Sequence, residues 1–255
     1  MSLTHQALAS SYQSLSSQVL ASPGFGNEGV TFLAKGQMDW DRLGPTFTKA
    51  LTSTLYMVSV TLLISAVLGL VLGMLLYTTR EGGVLANKPV YWTLNVLVNF
   101  VRPIPFIILL TAIGPLTEVI AGSRIGTEAA IVGMVLAATF GAARIVEQNL
   151  VSIDPGVVEA AKAMGASPLR IIFSVIIPEA LGPLILGFTF MFIAIVDMSA
   201  MAGYIGAGGL GDFAIVYGYR AFNDQVTWIT VAVIIVIVQI AQLGGNWLAK
   251  KIMRR

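Results

Sequence analysis

Residues 159–178 read Glu-Ala-Ala-Lys-Ala-Met-Gly-Ala-Ser-Pro-Leu-Arg-Ile-Ile-Phe-Ser-Val-Ile-Ile-Pro, a charged stretch between two long apolar segments. The sequence predicts a short helix over residues 155–164. Asp154 followed by Pro155 is a typical helix start, because aspartate caps the first free amide groups and proline fits the first helical position. Gly165 suits the left-handed conformation that commonly ends a helix. About ten residues cannot cross a membrane, so this helix is predicted to lie outside it.

One face of the short helix is predicted to be apolar. Val157, Ala161 and Met164 recur at the spacing i, i+4, i+7, whereas Glu159 and Lys162 occupy the other side. Small residues on such a helix allow a close fit into a groove of another protein. A second interpretation stays open at this point, in which the helix is a connector lying on the membrane surface.

The composition is that of a polytopic membrane protein. The 255 residues are 56% hydrophobic and only 11% charged, with a mean hydropathy of +0.83. A soluble domain carries roughly 25% charged residues. The N-terminus lacks the basic region and short apolar run of a cleavable signal peptide, so the first span is expected to be an uncleaved anchor.

Five membrane spans are predicted, because a spanning helix needs about 20 mostly apolar residues. The apolar stretches cover residues 51–77, 91–117, 127–146, 176–202 and 226–249. The predicted fold class is all-α, with a transmembrane domain over residues 49–255. Residues 1–48 form a polar, extracytoplasmic N-terminal tail in this division.

The basic residues predict the orientation. Lys250, Lys251, Arg254 and Arg255 place the C-terminus in the cytoplasm by the positive-inside rule. An odd number of spans then places the N-terminus outside. The helix at residues 155–164 falls on the cytoplasmic side in this topology.

The polar tail leaves two alternatives open. Leu8, Tyr12, Leu15 and Val19 recur at helical spacing within a Ser-rich segment. The tail is either partly disordered or surface-lying, or it forms an amphipathic helix on the outer membrane face or against a partner.

The second span is not expected to be one straight helix. Arg102, Pro103 and Pro105 fall in its middle, and each proline removes a backbone donor and disfavours helix in the preceding residue. The freed carbonyl groups need partners in protein or water. This kink either lines a pathway, or is purely structural with Arg102 reaching the cytoplasmic interface.

The charged stretch resembles the EAA loop of the permeases of ABC importers. The shared pattern is Glu159-Ala160-Ala161, Gly165 after three residues, and residues 175–178 after nine more. The family form ends Ile-x-Leu-Pro, and this chain has Val-Ile-Ile-Pro. The resemblance implies a coupling helix that sits in a cleft of a cytosolic ATPase. The residues expected at that contact are Glu159, Ala160, Ala161, Met164 and Gly165.

Three further segments resemble importer permeases of the methionine type. They are residues 99–110, 198–203 and 206–211. The resemblance implies a multi-pass protein of the bacterial inner membrane that imports D- or L-methionine or close analogues. It also implies a permease homodimer in membrane lipid, two cytosolic ABC ATPase subunits and a periplasmic substrate-binding lipoprotein. ATP and Mg²⁺ are then bound by the ATPase, and no cofactor is expected in this chain.

The end of the fourth predicted span holds the candidate gate. The resemblance suggests that Met201 narrows the pathway at the dimer interface, with Met198 and Ser199 nearby, although ordinary helix packing explains these residues equally well. Asp197 in the same span costs about 2.5–3.5 kcal/mol in hydrocarbon, so it is expected to face the bundle, a cavity or the outer interface. Its proximity to the outer end favours simple solvation. A proton-coupled transporter using this carboxylate is the rival mechanism.

Several other chemistries are excluded. Residues 206–211 satisfy the pattern G-x-G-x-x-G, but no strand and βαβ unit surround them, so a dinucleotide site is rejected. No phosphate-binding loop motif occurs in the chain. His5 is the only histidine and there is no cysteine, which excludes metal sites and histidine-based catalysis. We expect a transport subunit that is not itself an enzyme and binds no nucleic acid.

Three other functions are considered, from the most similar to the least similar. ABC permeases for phosphonates, sulfonates or betaines share the glycine-rich loop and are the nearest. A stand-alone secondary transporter is more distant, because such carriers often have inverted repeats and many more spans. A structural membrane scaffold does not account for the capped cytoplasmic helix.

Overall fold

The computed structural model describes residues 40–253, and every regular element in that range is helical. The helices are α1 (Trp40–Thr79), α2 (Lys88–Val101), α3 (Phe106–Ala112), α4 (Gly114–Ala121), α5 (Thr127–Val151), α6 (Pro155–Ala163), α7 (Pro168–Ile171), α8 (Ile177–Ala202), α9 (Gly209–Phe213) and α10 (Asp224–Met253). Wider π-helical turns occupy Ile172–Ile176, Gly203–Ala207 and Ala214–Tyr219. The all-α prediction is confirmed for this range.

Four helical stretches are long and apolar enough to cross a membrane. They are Trp40–Thr79, Thr127–Val151, Pro168–Ala207 and Asp224–Met253. A fifth span exists only if α2 and α3 count together, and these two helices are bent by 102° at the break between them. The break falls at residues 102–105, where the two prolines predict it.

The first helix begins earlier than the predicted span at residue 51. Helix α1 starts at Trp40, and the predicted boundary between residues 48 and 49 falls inside it. Backbone contacts divide the chain into residues 1–43 and 44–255. The predicted tail before Trp40, with its alternative of an amphipathic helix, lies outside the described residues.

Helices α1 and α5 pack along a seam of small residues. Thr61, Ser65, Gly69 and Gly73 recur every four residues on α1 and are all buried. A Cβ atom on Gly69 would collide with Ala142 of α5. Such small-residue seams let two helix backbones approach closely, which is how packing is achieved where lipid removes the hydrophobic drive.

Helix α8 lies between α5 and α10 and packs along both. Its buried side chains Met191 and Ile195 join a core with Met57 of α1 and Met134 of α5. Because α8 follows α6 after the short α7 and one wide turn, the position of α6 is tied directly to this central helix.

Candidate functional site

The short helix α6 is closed at both ends by hydrogen bonds. Asp154 Oδ1 accepts a hydrogen bond from the Gly156 amide at 2.8 Å. At the other end, Gly165 adopts φ of +75°. Its amide donates to Lys162 O at 2.9 Å, and the Ala166 amide donates to Ala161 O at 3.1 Å. This pattern is a Schellman-type cap, so the local sequence defines both limits of the helix.

The face by which α6 attaches to the bundle corrects the predicted stripe. Val158 and Ala161 are buried in a cluster with Leu150, Ile171 and Ile176. Ala161 is only 3% exposed, so it seats α6 on its own chain and is not available to a partner. The buried pair follows the spacing i, i+3, whereas Val157 and Met164 are exposed.

The remaining surface of α6 is open. Glu159, Ala160, Met164 and Gly165 are exposed, and Met164 is 80% exposed. Val157 is also exposed. Four of the five predicted contact residues therefore lie on one accessible surface, which we call the α6 outer face. A large flexible apolar side chain among charges is typical of a protein contact.

A partly buried polar network joins α2 to α5, and it was not predicted from the sequence. Arg144 Nη1 donates to the Glu147 carboxylate, and the two side chains are 17% and 8% exposed. Arg144 Nη2 donates to Asn95 Oδ1 at 2.9 Å and to Asn99 Oδ1 at 2.6 Å. Two features of the sequence could have indicated it. Asn95 and Asn99 are four residues apart on one helix face, and Arg144 and Glu147 are three residues apart on another. We call these four residues the α2–α5 network.

The break in the second predicted span exposes Arg102, Pro103 and Pro105. The Arg102 amide still donates to Val98 O at 3.2 Å, and the helix resumes when the Ile108 and Leu109 amides donate to Pro105 O at 2.9 Å. The α2–α5 network lies on the α2 side of this break. The segment preceding the break is thus fixed to α5 by charge-assisted hydrogen bonds.

The glycine-rich segment 206–211 is fastened to two other helices. The Leu210 amide donates to Thr54 Oγ1 of α1 at 2.7 Å, and Thr127 Oγ1 of α5 donates to Ala207 O at 2.9 Å. Within residues 40–253 the segment is preceded by helix and not by a strand.

The predicted gate residues do not share one face of α8. Ser199 is buried and donates to Val196 O at 2.7 Å, and Met198 packs against the core. Asp197 and Met201 are exposed on the other side of the helix. This side also carries Phe190 at 66% and Tyr204 at 57% exposure, two aromatic residues absent from the predicted set. We call Phe190, Asp197, Met201 and Tyr204 the α8 open face.

Asp197 lies inside the bundle, between two places where its segment of the chain meets α5. At one end, Ala207 is level with Thr127, to which it is hydrogen-bonded. At the other end, a Cβ atom on Gly187 would lie 2.8 Å from Asn149 Nδ2 of α5. Asp197 is about 15 Å beyond Gly187 at a rise of 1.5 Å per residue, and the backbone leaves helical geometry at Ile205 and Gly206, before Ala207.

The described residues offer no metal centre. Between residues 40 and 253 no group of three His, Cys, Asp or Glu side chains is arranged to hold a metal ion.

Comparison with known proteins places the chain in a family. Residues 65–254 match the family described as the binding-protein-dependent transport system inner membrane component. The chain is 43% identical over 202 residues to the probable D-methionine transport system permease protein MetI of Vibrio cholerae, covering 79% of this chain and 90% of that protein. It is 41% identical over 181 residues to the methionine import system permease protein MetP of Bacillus subtilis, covering 71% and 82%.

Solved structures agree with these relatives. An inward-facing structure of the MetNI methionine ABC transporter contains a chain that superposes with a TM-score of 0.81 at 39% identity, covering 83% of this chain and 98% of that one. A second amino acid ABC transporter matches with a TM-score of 0.70 at 21% identity, which supports the fold alone. The chain therefore belongs to the family of inner membrane components of binding-protein-dependent transport systems.

Proposed function

We propose that this chain is the permease subunit of an ATP-driven importer of methionine or a close analogue. The observation that carries the proposal is α6, a capped helix seated on the bundle with its other face open. The relatives named as methionine permeases support the choice of solute. The energy comes from a separate ATPase, which binds ATP and Mg²⁺, because no phosphate-binding loop motif occurs in these 255 residues.

The α6 outer face is the proposed contact with the ATPase. Glu159 and Lys162 supply charge, Ala160 permits close approach, and Met164 supplies an adaptable apolar surface. Val158 and Ala161 transmit force, because they fix α6 to the cluster that also contains residues of α5 and α8. The closed ATPase dimer would then favour the outward-facing state of the permease, and the open dimer would favour the inward-facing state.

We propose five spans, with the N-terminus outside and the C-terminus in the cytoplasm. Helices α2 and α3 together form the second span, broken at residues 102–105. A Cβ atom on Gly182, near the start of α8, would collide with Met253 at the end of α10. The start of α8 and the basic end of α10 therefore share one side of the bundle, which the positive-inside rule assigns to the cytoplasm.

A second copy of the chain is proposed to cover the α8 open face. A carboxylate within the bundle cannot face lipid without a large penalty, so Asp197 requires a protein-lined or water-filled surrounding. Met201 and Tyr204 continue the same face toward the glycine-rich end. Two such faces related by two-fold symmetry would enclose a pathway between the subunits. A periplasmic binding protein would deliver the solute to it.

The experiment is reconstituted uptake of labelled methionine with the permease, its ATPase and its binding protein in liposomes. We expect uptake that requires ATP inside the liposomes and is blocked by excess methionine. If a phosphonate, sulfonate or betaine blocked uptake and excess methionine did not, the permease would have a different solute. Uptake by the permease without an ATPase, driven by a pH gradient, would overturn the proposal.

A further inference from the structure

Asp197 is an acidic side chain inside the bundle with no partner in the described part of the chain. Its carboxylate is exposed, and between residues 40 and 253 it forms no hydrogen bond or ion pair. It lies between two contacts with α5, one at Gly187 of α8 and one at Ala207 in the turn after α8. An ionisable side chain at this depth marks a solute or ion pathway by default.

Helices α5 and α8, and α10 up to residue 249, offer Asp197 no unpaired cation. Helix α8 contains no Lys, Arg or His, and residues 224–249 of α10 contain none either. The single basic residue of α5 is Arg144, which already pairs with Glu147 and two asparagines. A bound molecule with a positive charge would neutralise Asp197.

The neighbours of Asp197 indicate the rest of that molecule. Met201 lies one turn along the α8 open face and Tyr204 a further turn, both exposed, with Phe190 two turns in the other direction. One carboxylate among thioether and aromatic surfaces fits a small solute with one ammonium group and an apolar side chain. Transporter solute sites commonly lie at this depth in the membrane.

We propose that Asp197 binds the ammonium group of the transported solute midway along the pathway. This inference rests on the proposed function and specifies how the permease itself recognises its solute. Asp197 would then impose a preference for amino acids over analogues without an amino group, in addition to the selection made by the binding protein.

The test measures equilibrium binding to the purified complex of permease and ATPase in lipid nanodiscs, without the binding protein. The ligands are labelled methionine and labelled 4-methylthiobutanoate, which is methionine without its amino group. We expect Asp197→Asn to weaken methionine binding at least tenfold and to leave the des-amino ligand unchanged. Asp197→Glu should restore part of the methionine affinity. Asp224→Asn is the matched control, because it makes the same chemical change at the first residue of α10, and it should leave both affinities unchanged.

Any one of the following results would overturn the inference. Asp197→Asn could lower the affinity for both ligands equally, or leave methionine binding unchanged. The wild-type complex could fail to bind methionine, or its uptake could depend on a pH gradient through Asp197. ATP-driven methionine uptake by Asp197→Asn at the wild-type rate would reject the role of Asp197 and leave the proposed function intact. Absence of ATP-driven methionine uptake by the wild-type system would reject both.

Discussion

Two acidic side chains within long apolar helices have opposite surroundings. Glu147 on α5 is buried and paired with Arg144, which two asparagines also hold. Asp197 on α8 is exposed and has no partner among residues 40–253. A satisfied buried charge contributes to structure, whereas an unsatisfied charge facing a cavity is available to a ligand. Glu147 therefore holds the bundle together, whereas Asp197 is available to bind a ligand.

The largest expected effect on stability comes from breaking the α2–α5 network. Glu147→Gln leaves the mostly buried Arg144 without its counter-charge, which costs about 3 kcal/mol, the low end for a buried pair. The midpoint of thermal unfolding in detergent should fall markedly. The double variant Arg144→Met with Glu147→Met should be less destabilised than Glu147→Gln, since no lone charge remains. Equal losses in the two proteins would show that the pair matters through packing alone.

The exposed ion pair gives the matched control for that prediction. Arg124 Nε and Glu118 Oε2 are 2.6 Å apart, but the two side chains are more than half exposed. Exposed pairs contribute about 0–1 kcal/mol. Glu118→Gln should therefore leave the unfolding midpoint nearly unchanged, and a loss like that of Glu147→Gln would contradict the distinction between buried and exposed pairs.

The next largest effect separates the two faces of α6. Ala161→Leu forces extra volume into the cluster beneath the helix and should cost about 1–3 kcal/mol. Ala160→Leu lies on the α6 outer face and should leave the unfolding midpoint unchanged while weakening co-purification of the ATPase. Thermal unfolding and affinity capture on the same samples measure both outcomes. A stable Ala161→Leu variant would contradict the packing described for Val158 and Ala161.

The cap at the end of α6 should affect coupling more than stability. Gly165→Val places a β-branched residue at φ of +75°, so the last turn of α6 must change shape. We expect a loss of about 1–3 kcal/mol and hydrolysis of ATP without transport. Gly244→Val is a useful control for bulk, because a Cβ at Gly244 meets nothing within 4 Å. Normal coupling in Gly165→Val would count against the role of α6.

The smallest effect on stability is expected at Asp197 itself. Its carboxylate has no partner in the described chain, so Asp197→Asn removes no contact and should change the unfolding midpoint little. Uptake of methionine should nevertheless fall. A protein destabilised as strongly as Glu147→Gln would mean that Asp197 has a structural partner, and the comparison between the two acids would fail.

Local signals predicted α6 well, because Asp154, Pro155 and Gly165 determine its ends without help from distant residues. The break at residues 102–105 was predictable for the same reason, since two prolines act locally. The burial of Ala161 was not predictable, because Val157 and Val158 are equally apolar. The direction of the buried face depends on how α6 meets Leu150 and Ile176.

The depth and environment of Asp197 also required the structure. The sequence places it near the end of an apolar stretch, and only the structure shows that it is exposed beside Met201 and Tyr204. The α2–α5 network shows a related limit. Arg144 and Asn99 are 45 positions apart, and no local pattern specifies that they meet.

The wide turn at Ile172–Ile176 determines how α8 is rotated about its own axis relative to α6. A π-helical turn holds one more residue than an α-helical turn, so it shifts all later side chains around the helix axis. Deleting one residue there, and so restoring regular α-helix, would rotate α8 by about 100°. Asp197 would then face the protein core, although the other residues of the membrane helices were unchanged. A single-residue deletion at this turn would thus change which side chains face the pathway without altering the number or length of the membrane helices.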